Sequence, residues 1–137
     1  MLISLTIFSA QIFAQSFEPG LWKFKSKLNV SMLSLPESAS EECITAKQAK
    51  DAKGTIEKEL KKQGCKITEW IVKNKNLDAS ISCDNINFNA AGKLGGEFSR
   101  KTYNLKGEAK GKIKKTLPAT AKINLSGEWV KECTKTQ

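Results

Sequence analysis

Apolar and polar side chains alternate along most of the chain after Pro19. From Trp22 to Met32 the even positions are apolar, apart from Ser26, and the odd positions are polar. Alternation with a period of two is typical of a β-strand that buries one face and exposes the other. The same alternation predicts further strands over 77–83, 86–90, 103–109 and 119–129.

One segment departs from this pattern. Thr45 and Gln48 have the spacing of a capping box, in which each side chain binds a free backbone N–H at the start of a helix. We therefore predict one amphipathic helix near 46–62. Its apolar positions form a narrow stripe of Ala49, Ala52, Ile56 and Leu60.

The predicted fold class is mainly β. Antiparallel strands at this spacing, with one helix inserted early, predict a meander curled into a barrel or half-barrel, and a two-layer α+β sandwich is the alternative. With 137 residues and 39% hydrophobic side chains, the chain has room for one small core. We expect a single disulfide-stapled domain over 15–137.

The N-terminal segment indicates where the protein acts. Leu2 to Phe13 are almost wholly apolar, and Ala14 before Gln15 provides a small residue at a cleavage position. The apolar run is shorter than the stretch of about 20 residues that a membrane-spanning helix needs. We therefore interpret 1–14 as a signal peptide and expect an exported protein, located in the periplasm, with no transmembrane span.

The chain has four cysteines, an even number that suits two disulfides in a small exported domain. They are Cys43, Cys65, Cys83 and Cys133. No two of them have the spacing of a zinc site, and there is no histidine to complete a mixed one, so no metal is expected.

Three pairings are possible for four cysteines. The face of its strand on which each cysteine is predicted to lie favours one of them. Cys83 and Cys133 both fall on the apolar side of their predicted strands. A hairpin with a two-residue turn at 74 and 75 leaves Cys65 facing away from Cys83, while Cys43 and Cys65 bracket the helix. We predict Cys43 with Cys65 and Cys83 with Cys133, and the other two arrangements stay open.

The composition offers little for catalysis. Histidine is absent, which excludes nucleophiles activated by a histidine base. Asp78 and Asp84 lie on the wet side of one strand about 20 Å apart, too far for a catalytic carboxylate pair. We expect Glu57 and Glu59 to be solvated and Tyr103, the only tyrosine, to be a core or rim aromatic. We predict that the protein is not an enzyme and uses no cofactor; a hydrolase is the least favoured alternative.

Lysine dominates the charge of the chain. The formal net charge is +9, and 22 of the 23 basic residues are lysine because Arg100 is the only arginine. The candidate binding residues are the lysines of two segments: Lys23, Lys25, Lys27, Lys106, Lys110, Lys112, Lys114 and Lys115. Such a surface attracts anionic envelope components, including lipid headgroups, lipopolysaccharide, polysaccharide and nucleic acid. The competing interpretation is that these lysines only keep the domain soluble.

Two further expectations concern partners. Sequence-specific binding of nucleic acid is not expected, because bidentate phosphate recognition uses arginine and base stacking uses exposed aromatics among cations. The sequence does not identify a specific partner, and the chain is expected to be a monomer.

An enclosed interior would give the protein a second kind of binding site. Six apolar side chains would line it: Trp22, Phe24, Phe88, Leu105, Ile123 and Trp129. A small apolar-ligand carrier is therefore the alternative function. The competing interpretation is that these side chains fill the interior themselves, as in most small barrels.

Several short motifs, taken together, are similar to those of a known family. They are Pro19-Gly20-Leu21-Trp22 after the signal, Cys43-Ile44-Thr45 before the helix, Cys65-Lys66-Ile67-Thr68, Cys83, and the terminal segment from Gly127 to Cys133. This arrangement resembles the bacterial periplasmic domain of unknown function 3617 family (DUF 3617). The resemblance implies export and a small disulfide-bonded β-rich domain, and it brings no established activity. The family pattern implies an arginine after the glycine and a second glycine shortly before the last cysteine, where this chain has Glu128 and Lys131.

Overall fold

The computed structural model describes residues 16–31, 33–84, 88–114 and 116–134. The predicted signal peptide, 1–14, lies outside the described residues. Within them, eight strands and two short helices follow one another along the chain: β1 (Gly20–Val30), β2 (Leu33–Ser34), β3 (Ser38–Ile44), α1 (Ala46–Ala49), α2 (Ala52–Lys61), β4 (Cys65–Lys73), β5 (Asn76–Asp84), β6 (Phe88–Phe98), β7 (Thr102–Ile113) and β8 (Leu117–Lys131). The predicted mainly β fold is confirmed.

The strands form one antiparallel sheet. Its order is β4-β5-β6-β7-β8-β1, and both β2 and β3 pair with the remaining side of β1. The meander from β4 to β8 follows the predicted order of strands. β3 and β4 are the two edges, and no pairing joins them in the described part of the chain, so the sheet does not close into the barrel that was one of the expectations.

Helix α2 contacts both edges of this open sheet. Lys58 Nζ lies 3.2 Å from Glu42 Oε2 on β3, and the backbone N–H of Ile67 on β4 donates to Glu57 Oε2 at 3.4 Å. A helix of ten residues is about 15 Å long. The edges of a flat sheet with this strand order would lie about 29 Å apart. The sheet must therefore curl so that both edges reach the same helix.

The helical segment is divided in two where a single helix was predicted. The capping box of Thr45 and Gln48 is formed at the start of α1. The chain then leaves the helix, and the side chain of Asp51 accepts a hydrogen bond from the N–H of Gly54 at 2.9 Å, which caps the start of α2. The predicted apolar stripe is buried on both helices. Neither helix has the length or the hydropathy to cross a membrane, within the residues that the structure describes.

The core lies between the inner face of the sheet and the helices. An aromatic cluster fills the end near the start of β1, where the ring of Phe17 packs 5.0 Å from Trp22 and 5.7 Å from Tyr103, measured between centroids. The largest fully buried apolar side chains are Trp22, Phe24, Ile56, Leu60, Ile81, Leu94, Leu105, Ile123 and Leu125.

Two indole groups fix the segment that leads into β1. Trp22 Nε1 donates to the carbonyl oxygen of Glu18 at 2.8 Å, and Trp129 Nε1 donates to that of Pro19 at 3.0 Å. Gly20 has φ of +147°, and a Cβ there would overlap the indole of Trp129. Only glycine suits this position, because it lacks the Cβ and tolerates positive φ.

A β-bulge explains the disulfide between Cys65 and Cys83. The β4–β5 hairpin turns at 74 and 75 as predicted, but a β-bulge between Ile67 and Glu69 adds one residue to β4. One extra residue reverses the parity of the strand beyond it. Cys65 therefore turns to the inner face, directly opposite Cys83, and the two buried cysteines form a disulfide.

A second bulge explains the other disulfide, which joins Cys43 and Cys133. Near the end of β8 the register shifts so that Lys131, rather than Val130, lies opposite Leu21. The odd positions of β8, which face inward up to the bulge, therefore face outward beyond it. Cys43 is the other neighbour of Leu21, so Cys133 follows β8 on the same side of the sheet as Cys43.

All four cysteines are thus in disulfides, as expected, but the predicted pairing of Cys43 with Cys65 and of Cys83 with Cys133 is wrong. That pairing assumed unbroken alternation along both strands. Each bulge reverses one cysteine relative to that assumption: Cys65 moves to the inner face and Cys133 to the outer face.

Candidate functional site

Lysines of four neighbouring strands share one side of the sheet, which we call the outer face. The odd positions of β1 and β6 lie beside the even positions of β7 and β8 in the register, and their side chains point away from the core. On these strands the outer face has nine lysines: Lys23, Lys25, Lys27, Lys93, Lys106, Lys110, Lys112, Lys122 and, beyond the β8 bulge, Lys131. It has three glutamates: Glu97, Glu108 and Glu128.

The structure brings together most of the predicted lysines. The two segments chosen from the sequence, on β1 and β7, lie on the same face with only β8 between them. Lys114 lies in the turn after β7, where it is exposed, and Lys115 lies outside the described residues. Sequence analysis missed Lys93 and Lys122. Their positions in the alternating pattern predicted that they face solvent. Only the register shows that the solvent-facing sides of the four strands form one surface.

The charges divide the outer face into two halves. Near the β6–β7 turn, three lysines share the face with Glu97 and Glu128: Lys23, Lys25 and Lys131. Toward the other end lies what we call the basic half, where Glu108 is the one acidic side chain on the described parts of these four strands. The six lysines of the basic half are Lys27, Lys93, Lys106, Lys110, Lys112 and Lys122.

A shallow depression of about 390 Å³ lies in the middle of the basic half. Lys93, Lys106 and Lys122 line it together with Glu108, which lies between Lys93 and Lys122 in the register. Lys93 Nζ also donates to Ser80 Oγ at 2.9 Å. Lysine ammonium groups act as point charges rather than as a fixed fork. The depression therefore suits an extended anionic surface better than one tightly held anion.

The six side chains predicted to line a cavity lie in or at the edge of the core. Five of them are buried, with relative exposures between 0% and 6%. The sixth, Trp129, is half-buried, and Lys101 Nζ lies 4.4 Å from the centre of its ring. These residues pack against one another and against Phe17, which supports filling of the interior by side chains rather than by a ligand.

Two glutamates differ from their expected environment. Glu57 was expected to be solvated, but it is half-buried and accepts a hydrogen bond from the backbone N–H of Ile67. Glu59 was expected to be solvated, but it is only 4% exposed and its Oε1 lies 2.9 Å from Lys62 Nζ. It follows the buried Ile56 by three positions, so it lies on the inward side of α2. The two aspartates considered as a catalytic pair, Asp78 and Asp84, are exposed on β5.

Burial and the charge of Glu59 both change the pKa of Tyr103. Tyr103 is 3% exposed, as expected for a core aromatic, and its ring covers Gly127 on β8. Its hydroxyl makes no hydrogen bond within the described residues. Burial raises the pKa of Tyr103 far above its ordinary value, and the charge of Glu59 raises that pKa further.

Tyr103 therefore predicts an instability at alkaline pH. The unfolded chain releases the phenolic proton near pH 10, whereas the folded protein retains it. This contribution to stability is complete below that pH, and above it the free energy of unfolding falls by about 1.4 kcal/mol per pH unit. Because the chain has one tyrosine, tyrosinate absorbance follows this residue alone. We expect that absorbance to rise together with the loss of the β circular dichroism signal.

The matched control for this titration is Tyr103→Phe, which cannot ionise. Its free energy of unfolding should lack the component that falls above pH 10. Tyrosinate formed near pH 10 in protein that is still folded would contradict the assignment.

Comparison with known proteins finds one matching family. The model of a family described as "Protein of unknown function (DUF3617)" matches residues 17–133. Neither a curated protein nor a solved structure matches the chain. The motifs that carry the resemblance have structural roles here, since the cysteines form both disulfides and Gly20 fits beneath Trp129. The chain belongs to the DUF3617 family of proteins of unknown function.

Proposed function

We propose that this protein is an exported, non-enzymatic accessory protein of the periplasm that attaches to anionic envelope surfaces through the basic half of its outer face. The observation that carries the proposal is the concentration of six lysines with one glutamate on four neighbouring strands. No side chain of this set faces the core, so the charge has no role in packing.

Two features support export. Both pairs of cysteines form disulfides, which persist in oxidising compartments and are rare in the cytosol. The apolar residues Leu2 to Phe13, followed by Ala14, have the composition of a signal peptide. An envelope location would also give a basic surface an abundance of anionic lipid and polymer to contact.

The shape of the basic half favours attachment to a surface. Its lysines project from strands of one sheet, so several of them approach the same surface together. Each lysine close to an anionic membrane contributes about 1 kcal/mol. Six such lysines therefore supply several kcal/mol without a closed pocket.

A non-enzymatic role agrees with the arrangement of the acidic groups. Asp78 and Asp84 are exposed on one strand, and the buried Glu59 is ion-paired with Lys62, whose side chain is exposed to solvent. Among the residues that the structure describes, no three side chains of cysteine, aspartate or glutamate are grouped to hold a metal ion. The proposal needs only charge, position and exposure.

The proposal predicts binding that salt abolishes. Lys27 and Lys106 flank Asn124 in one row of the sheet and lie about 10 Å apart. Both can therefore face one lipid surface, and their attraction to it acts over the screening length, which is about 10 Å at 0.1 M salt and shortens to several Å by about 0.3 M. We expect the mature protein to sediment with phosphatidylglycerol vesicles at low salt and to stay in solution at about 0.3 M salt. Vesicles of phosphatidylcholine alone are the control, and binding that is insensitive to salt, or absent at low salt, would reject the proposal.

A further inference from the structure

A polar trough crosses the outer face in the half that has mixed charges. Its volume is about 840 Å³, within the range of about 300–1,000 Å³ that is usual for small-molecule pockets. Two rows of cross-strand neighbours form its walls. One row consists of Glu97, Asn104, Ser126, Lys25 and Ala39. The other row consists of Thr102, Glu128, Lys23 and Glu41.

The dimensions of the trough suit one extended chain. The two rows are two residues apart along each strand, a separation of about 7 Å, and the longer row crosses five strands, or about 19 Å. Between the rows, Phe24, Phe98 and Tyr103 turn their side chains into the core and Gly127 has none. The floor of the trough is therefore backbone whose N–H and C=O groups are already paired within the sheet.

The lining of the trough is balanced in charge. Three lysines and three glutamates contribute to it: Lys23, Lys25, Lys75, Glu41, Glu97 and Glu128. Lys23 Nζ lies 3.9 Å from Glu41 Oε1, so the opposite charges alternate rather than separate. A strongly anionic or cationic ligand would meet repulsion along such a lining. A neutral ligand rich in hydrogen-bonding groups would not.

The remaining side chains offer hydrogen bonds of both kinds. Ser99, Thr102 and Ser126 have hydroxyl groups, Asn104 has an amide, and the carboxylates accept where the ammonium groups donate. A peptide strand cannot be added to this floor, since the backbone is already paired. A chain of hydroxyl-bearing rings uses side-chain donors and acceptors directly.

We propose that the polar trough binds a neutral oligosaccharide. The inference is independent of the basic half, because none of the six lysines of the basic half lines the trough. Sugar binding at the trough should be insensitive to salt, unlike attachment to vesicles. The two activities therefore fail separately in experiments.

The test uses the full mature protein and three neutral tetrasaccharides: cellotetraose, maltotetraose and tetra-N-acetylchitotetraose. We expect at least one of them, at up to about 10 mM, to shift the amide resonances of Asn104, Ser126 and Lys25. Absence of shifts with all three, or shifts confined to residues outside the trough, would overturn the proposal.

Matched variants on one strand locate the site. Ser126→Trp places a large ring in the trough, whereas Asn124→Trp places the same ring two residues away on the same face of β8. We expect Ser126→Trp to weaken the sugar at least about tenfold and Asn124→Trp to leave it unchanged. Equal effects of the two variants would overturn the proposal.

A second variant avoids adding bulk. Glu97→Gln with Glu128→Gln keeps the size of both side chains but replaces charged acceptors with weaker neutral ones. We expect this double variant to weaken the sugar about tenfold while attachment to vesicles is retained. Unchanged affinity for the sugar would overturn the proposal even if Ser126→Trp failed to fold.

Discussion

Replacing both Cys43 and Cys133 with alanine is expected to lower the free energy of unfolding by about 4.6 kcal/mol. The reason is the length of the loop, since this disulfide joins residues 90 positions apart and its loss frees the unfolded chain. The disulfide of Cys65 and Cys83 spans 18 positions, and its removal should cost about 3.2 kcal/mol. Either loss is a large share of the stability of a small domain, which is about 5–15 kcal/mol.

Urea unfolding of the two double variants and of the unmodified protein measures both effects. Each variant is the control for the other, because each retains one disulfide. The larger loss should follow the longer loop, even though that disulfide is the more exposed of the two. A loss below about 1 kcal/mol in either variant would contradict the account of a fold held by both disulfides.

Much of this fold was predictable because alternation reports directly on burial. The inward residues of β5, from Leu77 to Cys83, are 0–3% exposed, as their parity predicted. The capping box at Thr45 marked the start of the helical segment correctly. The division into two helices was not predicted, because Asp51 reads equally well as a polar position on one continuous helix.

The disulfide pairing could not be predicted, because the alternation of side chains between the two faces of a strand continues only as far as the next bulge. The β4 bulge places Cys65 on the opposite face of the sheet from the one predicted, and the β8 bulge does the same for Cys133. No glycine or proline marks either bulge in the sequence; the extra residues follow from the register of the neighbouring strands. One extra residue in each of the two strands thus changed the pairing of all four cysteines.

The candidate site was predictable only in part, for a related reason. The lysines of β1 and β7 were found as two separate runs, and their union depends on β8 lying between them. The polar trough takes its walls from strands that are far apart in sequence, such as those of Ala39 and Asn104. Such a surface can be recognised only from the register of the strands, because no short stretch of sequence contains it.

Reversing the charge of four lysines in the basic half is expected to abolish attachment to anionic vesicles. The variant combines Lys27→Glu, Lys93→Glu, Lys106→Glu and Lys122→Glu, and it leaves the trough lysines in place. Loss of about 1 kcal/mol for each lysine lowers the affinity about 1,000-fold, before the repulsion by the new carboxylates is added. The substituted positions lie outside the core, so the variant should retain its β circular dichroism signal.

The control variant reverses four exposed lysines of the helical segment: Lys47, Lys50, Lys53 and Lys61. Both variants lower the formal net charge by the same amount from +9, and they differ only in where the charge is removed. A surface attraction that depends on net charge alone would weaken equally in both. An attraction localised on the outer face would weaken strongly in the outer-face variant and only slightly in the helical variant.

The most direct measurement is therefore the partition of three proteins onto the same phosphatidylglycerol vesicles at the same low salt: the unmodified protein, the outer-face variant and the helical variant. We expect the unmodified protein and the helical variant to bind with affinities within about tenfold of each other, while the outer-face variant stays in solution. Equal loss of binding in both variants, or retention by the outer-face variant, would contradict the claim that the outer face of this sheet is the binding surface.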